Sequence, residues 1–529
     1  MKAIRVSQSF ITDMRFPFDF LQKTFGHIRN LKCCVFTITL LSLTLPGFAL
    51  EGQVGIHDPS TIMECNGKYY TYGTGGTALV SDDGWVWRAG TRASRSGAAP
   101  DVIHIGDRYL QYISHGTFIW SKSLDPESPD YGWQDGPNAF GMEGDNDFMN
   151  PIDPGLFLDP TTGKLWVVYG SYFGYLRIVE LDPKSGQRVD DQSYNVAVNC
   201  EAATIIYHEG YYYLLATHGS CCAGSNSGYN IRVGRSKDIK GPYIDNMGID
   251  MMLGGGKLVC GSRTRLIGPG HFGLIDEADG VQKFSLHWEA DLDRSGSFGV
   301  LDILPLLWKD GWPVAGQHFK AGDYEIESVR TGTALEIAVE GVPVGGGRGG
   351  RGGGRGFGVG GMGTRGGTMP GRRGAGGGGG MFGGRGGGGT TTVVPDQDVA
   401  EVSVNWPEGN IDIRMANYMC QAQQKWSVIP AEGAGGYLGE PYFKITIAGT
   451  DRALAAIEGG ELVSVPEFTG APEQLWRIDQ LTDGTWRIMP KSIPNTDEKM
   501  ALSAIGHSFA TLEKFDPDSE KQRWIFNTP

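Results

Sequence analysis

Three acids in this 529-residue chain stand in short, distinctive contexts. Asp58 lies in Ile56-His57-Asp58-Pro59-Ser60, Asp153 in Asn150-Pro151-Ile152-Asp153-Pro154, and Glu201 in Cys200-Glu201-Ala202-Ala203. Two carboxyl groups facing each other across a cavity can cleave a glycosidic bond: one protonates the leaving oxygen, and the other handles water or the anomeric carbon. Taken singly, each acid reads more simply as a strand-end carboxylate. Taken as a trio they point to chemistry, because like charges brought together raise one another's proton affinity and let one stay protonated near neutral pH. The small neighbours of Glu201 would desolvate it without supplying a cation, and Pro59 fixes the backbone beside Asp58.

Acids so far apart in the chain need a fold that gathers them. Residues 199–245 suggest one: Glu201 heads an apolar run, His208-Glu209-Gly210 supplies a turn, and an apolar, Tyr-rich run follows, which is a hairpin pattern. A third strand is expected over Asn230–Gly234. The pattern recurs behind Asp58, Asp101 and Asp153, and in weaker form behind His271, giving five units. Repetition of one small sheet every ~40–50 residues predicts a β-propeller, whose blades each place their first strand on the central axis. Residues 50–318 hold these five blades. The segment between Leu50 and Asp58 is expected to help pair the final sheet and close the ring. Asp310-Gly311 marks the turn into the last edge strand.

On these residues the chain resembles glycoside hydrolase family 43. Asp58, Asp153 and Glu201, in this order, look like that family's catalytic trio. The run SCCAGSNSGYNIRVGRSKDIKGPY, followed by Gly268-Pro269-Gly270-His271, is similar to its endo-1,5-α-L-arabinanase branch. The resemblance covers about residues 52–318. It implies a general base at Asp58 and a general acid at Glu201, with Asp153 as the third carboxylate that orients the acid. It implies inversion of configuration, with room for water between base and sugar. His271 matches an axial histidine that holds, partly through water, a metal ion taken as calcium. Asp101 matches the second-blade acid that supports the site beside the substrate. Tyr172 and Phe118 are further candidates for substrate contact, with Trp120, Phe173, Trp288 and Tyr229 near the same face. The chain departs from the family pattern at Ala202-Ala203 and at Phe284–Trp288. The activity so implied is hydrolysis of α-1,5-linked arabinan. Exo-acting α-L-arabinofuranosidase or β-xylosidase action on the same scaffold is the alternative, and a non-catalytic carbohydrate-binding protein is the rival from another class.

Composition agrees with an all-β protein: aromatic residues make up 11% and no long amphipathic helical pattern occurs. Lys+Arg 46 against Asp+Glu 60 leaves a net charge of −14, which disfavours nucleic acid as a partner. Basic residues precede the apolar run Cys33–Leu45, and a small-residue site ends at Ala49. Residues 1–49 therefore read as a signal peptide, and the protein as a secreted or periplasmic monomer without a membrane span. Six of the eight cysteines follow that point. Adjacent Cys221 and Cys222 can bridge, but two small buried apolar residues is the simpler expectation.

Residues 319–529 have a different repeat. Gln424-Lys425-Trp426, Gln474-Leu475-Trp476 and Gln522-Arg523-Trp524 are spaced by 50 and 48 residues, each behind an Ala-Leu strand. This resembles a ricin-type β-trefoil. The position after the Ala-Leu pair, where that family carries a sugar-binding Asp, holds Glu336, Ala455 and Ser503, so Glu336 alone retains an acid. The first repeat is stretched by an insertion over 343–395. Of residues 345–389, 28 are Gly and seven are Arg. Such composition cannot bury enough apolar surface to offset ordering and is expected to be disordered.

Overall fold

The structure, a computed structural model, describes residues 50–140, 151–294, 299–339 and 406–529. The expected signal peptide and the 343–395 insertion lie outside these residues. Among the described residues there is no α-helix, only strands and short 3-10 turns.

Five antiparallel sheets follow one another in sequence and form a five-bladed β-propeller. The inner strands are Met63–Cys65, Asp101–Ile105, Gly155–Leu158, Glu201–His208 and Leu266–Asp276. Tight turns make the hairpins. Asn66-Gly67, Glu209-Gly210 and Asp310-Gly311 all carry positive φ at both positions, the pairing that two-residue hairpins of right-handed twist require. The hairpin expected behind Glu201 runs Glu201–His208 to Tyr211–His218, its third strand extends over Asn230–Ser236, and Lys257–Cys260 adds a fourth.

Apolar clusters fill the seams between blades. Phe157, Trp166 and Ile178 of the third blade pack against Ile205 and Leu214 of the fourth. Leu79 and Trp87 of the first blade meet Val300 and Ile303 of the fifth. Strands buried on both faces explain why these runs read as continuously apolar. The N-terminal segment closes the ring from both sides. Glu51–Gly52 pairs in parallel with the outer strand of the first blade. Ile56 N–H then donates to Gly299 O at 3.1 Å, and Leu301 N–H to Val54 O at 2.8 Å, across to the fifth blade.

The C-terminal region is a separate set of strands around its own core. Gly322–Ser328, Trp426–Pro430, Phe443–Ile447, Trp476–Gln480, Trp486–Pro490 and Trp524–Asn527 pair in a closed ring. Three hairpins accompany it. The two strands that flank residues 340–405, Ala334–Ile337 and Ile411–Ala416, pair with each other, so the Gly/Arg tract falls within one hairpin and separates no domains. Trp426, Trp476 and Trp524 are fully buried, and each indole N–H donates to the carbonyl of Leu335, Leu454 or Leu502. Each preceding Gln closes a loop, its carbonyl oxygen accepting from Met419, Thr469 or Asp516 N–H.

Candidate active site

Asp58 and Asp153 precede the inner strands of their blades and His271 lies at a register shift within Leu266–Asp276, each with φ between 53° and 58°. Non-glycine residues rarely adopt this left-handed conformation, and holding it costs ~1–3 kcal/mol. The repeated local strain turns three side chains toward one point. His271 Nδ1 lies 3.0 Å from Asp58 Oδ1, and its Nε2 lies 3.9 Å from Asp153 Oδ2. Asp153 also accepts from the backbone N–H of Ala202, next to Glu201. The three acids expected to converge do so, with residual exposures of 8%, 6% and 4% for Asp58, Asp153 and Glu201.

Their protonation preferences diverge. Burial would raise Asp58, but the charges of His271, His57 and His287 and the His57 hydrogen bond outweigh it and hold this carboxyl well below the usual range. Glu201 is pushed up to about 7 by burial and by the charges of Asp58 and Glu289, against the opposing hydrogen bond from Tyr229 and the charge of His57. Asp153 is raised well above its ordinary value by burial and by the charges of Glu201 and Asp58. At neutral pH the cluster therefore pairs an ionised Asp58 with at least one proton on the opposite carboxyls.

Asp58 is held by residues that sequence reasoning passed over. His57 Nδ1 lies 2.8 Å from Asp58 Oδ2, and Thr74 Oγ1 donates to the same oxygen at 2.5 Å. The Asp58 backbone N–H points at His287 Nδ1, 3.3 Å away. His57 Nε2 and Glu289 Oε1 are 2.9 Å apart. Burial opposes charge on His57, yet Asp58 and Glu289 on opposite ring edges raise it to about 10. His287 and Glu289 share one face of the buried strand Gln282–Asp291. Nothing local marks this pair, because the same run also carries Gln282, Lys283, Ser285 and Asp291.

Of the substrate candidates, Tyr172 is 36% exposed beside Phe173, with ring centroids 4.7 Å apart, and it senses the charges of Glu201 and Asp153. Phe118 corrects the expectation. It is 2% exposed and stacked on Tyr112 between the second and third blades, because its strand turns that face into the seam. Asp101 is likewise not presented to a substrate. Its carboxylate accepts from Thr61 N–H at 2.9 Å and Leu156 N–H at 2.8 Å, joining the first, second and third blades. Trp288 is buried with its indole on Asp302. Tyr229 is buried as well, but its hydroxyl donates to Glu201 Oε1.

Cys221 and Cys222 are joined as a disulfide, half-buried and exposed respectively, and not the two buried apolar residues expected. The Cys222 backbone N–H donates to Glu289 Oε1 at 3.2 Å. In the C-terminal region Glu336 is buried and its carboxylate is occupied by Arg414 at 2.6 Å and Gln424 at 2.9 Å. Glu336, the acid expected to remain of a sugar site, is thus engaged by protein partners.

Residues 70–313 match the family described as Glycosyl hydrolases family 43. Asp153, Glu201 and His271 fall inside this span, and Asp58 precedes it. The chain is 31% identical over 303 residues to an extracellular exo-alpha-(1->5)-L-arabinofuranosidase of Cellvibrio japonicus, covering 49% of this chain and 86% of the relative. It is 29% identical over 290 residues to an extracellular endo-alpha-(1->5)-L-arabinanase of Bacillus subtilis, covering 49% and 87%. Among solved structures, an exo-1,5-alpha-L-arabinanase from a bovine ruminal metagenomic library is 30% identical, with a TM-score of 0.46 and coverage of 51% of this chain and 100% of that one.

Proposed function

The chain belongs to glycosyl hydrolases family 43, and from that premise we propose that it is a secreted, inverting glycosidase cleaving α-1,5-L-arabinofuranosidic bonds in arabinan. The observation that carries this reading is the divergence of Asp58 and Glu201 within one cluster: Asp58 is held ionised, and Glu201 is raised to about 7, so that it keeps a proton at mildly acidic pH. Asp58 is the general base. Its oxygens are positioned by His57, Thr74 and His271, so it accepts a proton from water as that water attacks the anomeric carbon. Glu201 is the general acid and delivers its proton to the leaving oxygen. Asp153, held by Ala202 N–H and facing His271, orients Glu201 and raises its proton affinity.

The names of the two relatives support arabinan as substrate and divide between exo and endo action. We favour endo cleavage from the 220–243 and 268–271 motifs. Exo cleavage is the second reading, favoured by the 31% identical relative. No helix among the described residues is long and apolar enough to cross a membrane, and both relatives are described as extracellular, which supports export.

The calcium expectation also enters as a proposal. His271 Nδ1 faces Asp58 at 3.0 Å, whereas Nε2 is buried without a hydrogen-bond partner, which leaves Nε2 to face a cation. Calcium prefers oxygen ligands, so the fit is to a hydrated ion held by His271 and otherwise by water. Such an ion would supply positive charge beside Asp58 and Asp153. The C-terminal region is read as a β-trefoil, supported by the closed six-strand ring, three hairpins and three equivalent Trp positions.

Incubation with linear arabinan tests the assignment. A ladder of oligomers is expected, and arabinose alone would select the exo reading. Asp58→Asn and Glu201→Gln should each lower the rate by roughly 10²–10⁴-fold. Unchanged sugar release from either variant would remove that residue from its role.

A further inference from the structure

The two edges of His57 face different surroundings. One edge meets Asp58; the other meets a cluster that the glycosidase reading does not use. A ring nitrogen of His57, the sulfurs of Cys221 and Cys222, and a carboxylate oxygen of Glu289 all lie within 4.8 Å of one another. Glu289 has no exposed surface, and its Oε2 has no hydrogen-bond partner. Its Oε1 meanwhile contacts His57 Nε2 at 2.9 Å, Cys222 N–H at 3.2 Å and His287 Nε2 at 3.5 Å. A buried carboxylate oxygen left unsatisfied is costly, and such an atom commonly marks a missing ion or water. The exposed Cys222 opens the cluster to solvent.

We propose that, once the Cys221–Cys222 disulfide is reduced, these four side chains bind one thiophilic divalent cation of the zinc and cadmium class. A small dithiol donates two electrons and two protons, the S–S bond breaks to give two thiols, and the dithiol ends as its own disulfide. The cation then displaces three protons to solvent: one from each thiol and the one shared by His57 Nε2 and Glu289. Two thiolates, one imidazole and one carboxylate form a four-ligand set suited to tetrahedral zinc, unlike the oxygen-rich shell that calcium needs. Zinc–ligand bonds of ~2.0–2.3 Å place tetrahedral ligand atoms roughly 3.2–3.8 Å apart, so the two sulfurs, bonded while oxidised, part on reduction and the 2.9 Å contact between His57 Nε2 and Glu289 Oε1 opens slightly. The disulfide and the metal are alternative states of the same two sulfurs. Because His57 Nδ1 contacts Asp58, filling this site also places a new charge behind the general base and slows hydrolysis. That consequence rests on the proposed role of Asp58; the binding itself does not.

The test is titration of the full chain with cadmium alone, after reduction with dithiothreitol and its removal. The reduced protein should show a thiolate-to-cadmium charge-transfer band saturating at one ion per chain, and the unreduced protein none. The double variant Cys221→Ser/Cys222→Ser should lose the band, and Glu289→Gln should weaken binding by roughly tenfold or more. A band that survives the double variant, appears without reduction, or is absent from reduced protein overturns the site. Unchanged affinity in Glu289→Gln overturns the four-ligand set. Should the double variant not fold, alkylation of the reduced natural chain decides: cadmium must protect Cys221 and Cys222 together, and loss of both thiols despite cadmium overturns the proposal. Binding without inhibition of arabinan hydrolysis would count against the role of Asp58 and leave the metal site standing.

Discussion

At the scale of single residues, the proposed chemistry depends on unequal treatment of similar carboxyls. Asp58 is surrounded by three histidines, whereas Glu201 has small apolar neighbours and one hydroxyl. In its proposed role Glu201 acts in the protonated form, so activity should be retained below about 7 and fall as pH rises through it. Tyr229 donates to the Glu201 carboxylate and so favours its ionised form. Tyr229→Phe removes that preference. The alkaline limb of the pH–rate profile should move upward by roughly one pH unit. A limb that stays in place or moves down would show that Tyr229 does not tune the acid. Asp58, Asp153 and Glu201 were legible as candidates because their contexts are unusual. Thr74 and Glu289 were not, because nothing in a local run says which strands will face each other.

At the scale of elements, the blades depend on close approach of inner strands. Gly155 opens the inner strand of the third blade, and a Cβ there would lie 1.9 Å from the carbonyl oxygen of Ala203 in the fourth. That backbone cannot move without displacing Glu201. Gly155→Ala should therefore destabilise the fold by about 1–3 kcal/mol and lower activity with it. Gly55→Ala, where a Cβ meets nothing within 4 Å, is the control and should be near neutral. Thermal unfolding of both variants distinguishes a specific clash from general intolerance. The hairpins themselves were readable from turn residues such as Glu209-Gly210. The fates of Phe118 and Asp101 were not. An aromatic or acidic residue on an inner blade position looks the same in sequence whether it turns to the seam or to the axis.

At the scale of the whole molecule, the C-terminal region is tied to the first and fifth blades by buried polar contacts. Leu438 N–H donates to Asp83 O at 2.8 Å, and Lys283 Nζ reaches Leu438 O at 2.8 Å and Asp479 at 3.3 Å. Arg477 pairs with Glu277 at 2.7 Å. His318 bridges Asp302 of the fifth blade and Glu440, each at 3.0 Å. Burial opposes charge on this imidazole, but the two carboxylates raise it from 6.5 to about 10. Its folded-state value being the higher, its contribution to stability is complete below about 6.5 and is lost as pH rises through about 10. His318→Gln should lower the melting temperature at pH 6 by more than at pH 10, as read by calorimetry. An equal loss at both values would exclude the charged bridge. Removing one partner of such a buried pair leaves uncompensated charge, which is why the loss at pH 6 should be large.

The sequence by itself determined the all-β class, the five repeats, the three acids at their heads, and the triple Gln-x-Trp pattern with its long interruption. Each is a local property: a turn, an alternation, a spacing. Only the tertiary structure decided that His57, Thr74 and His287 surround Asp58 with Glu289 behind His57, that Cys221 and Cys222 are bonded beside them, and that Glu336 is consumed by Arg414 and Gln424. Those facts arise from side chains up to 232 residues apart meeting across a closed ring. Burial and partner charge, which set protonation, exist only once the ring has closed.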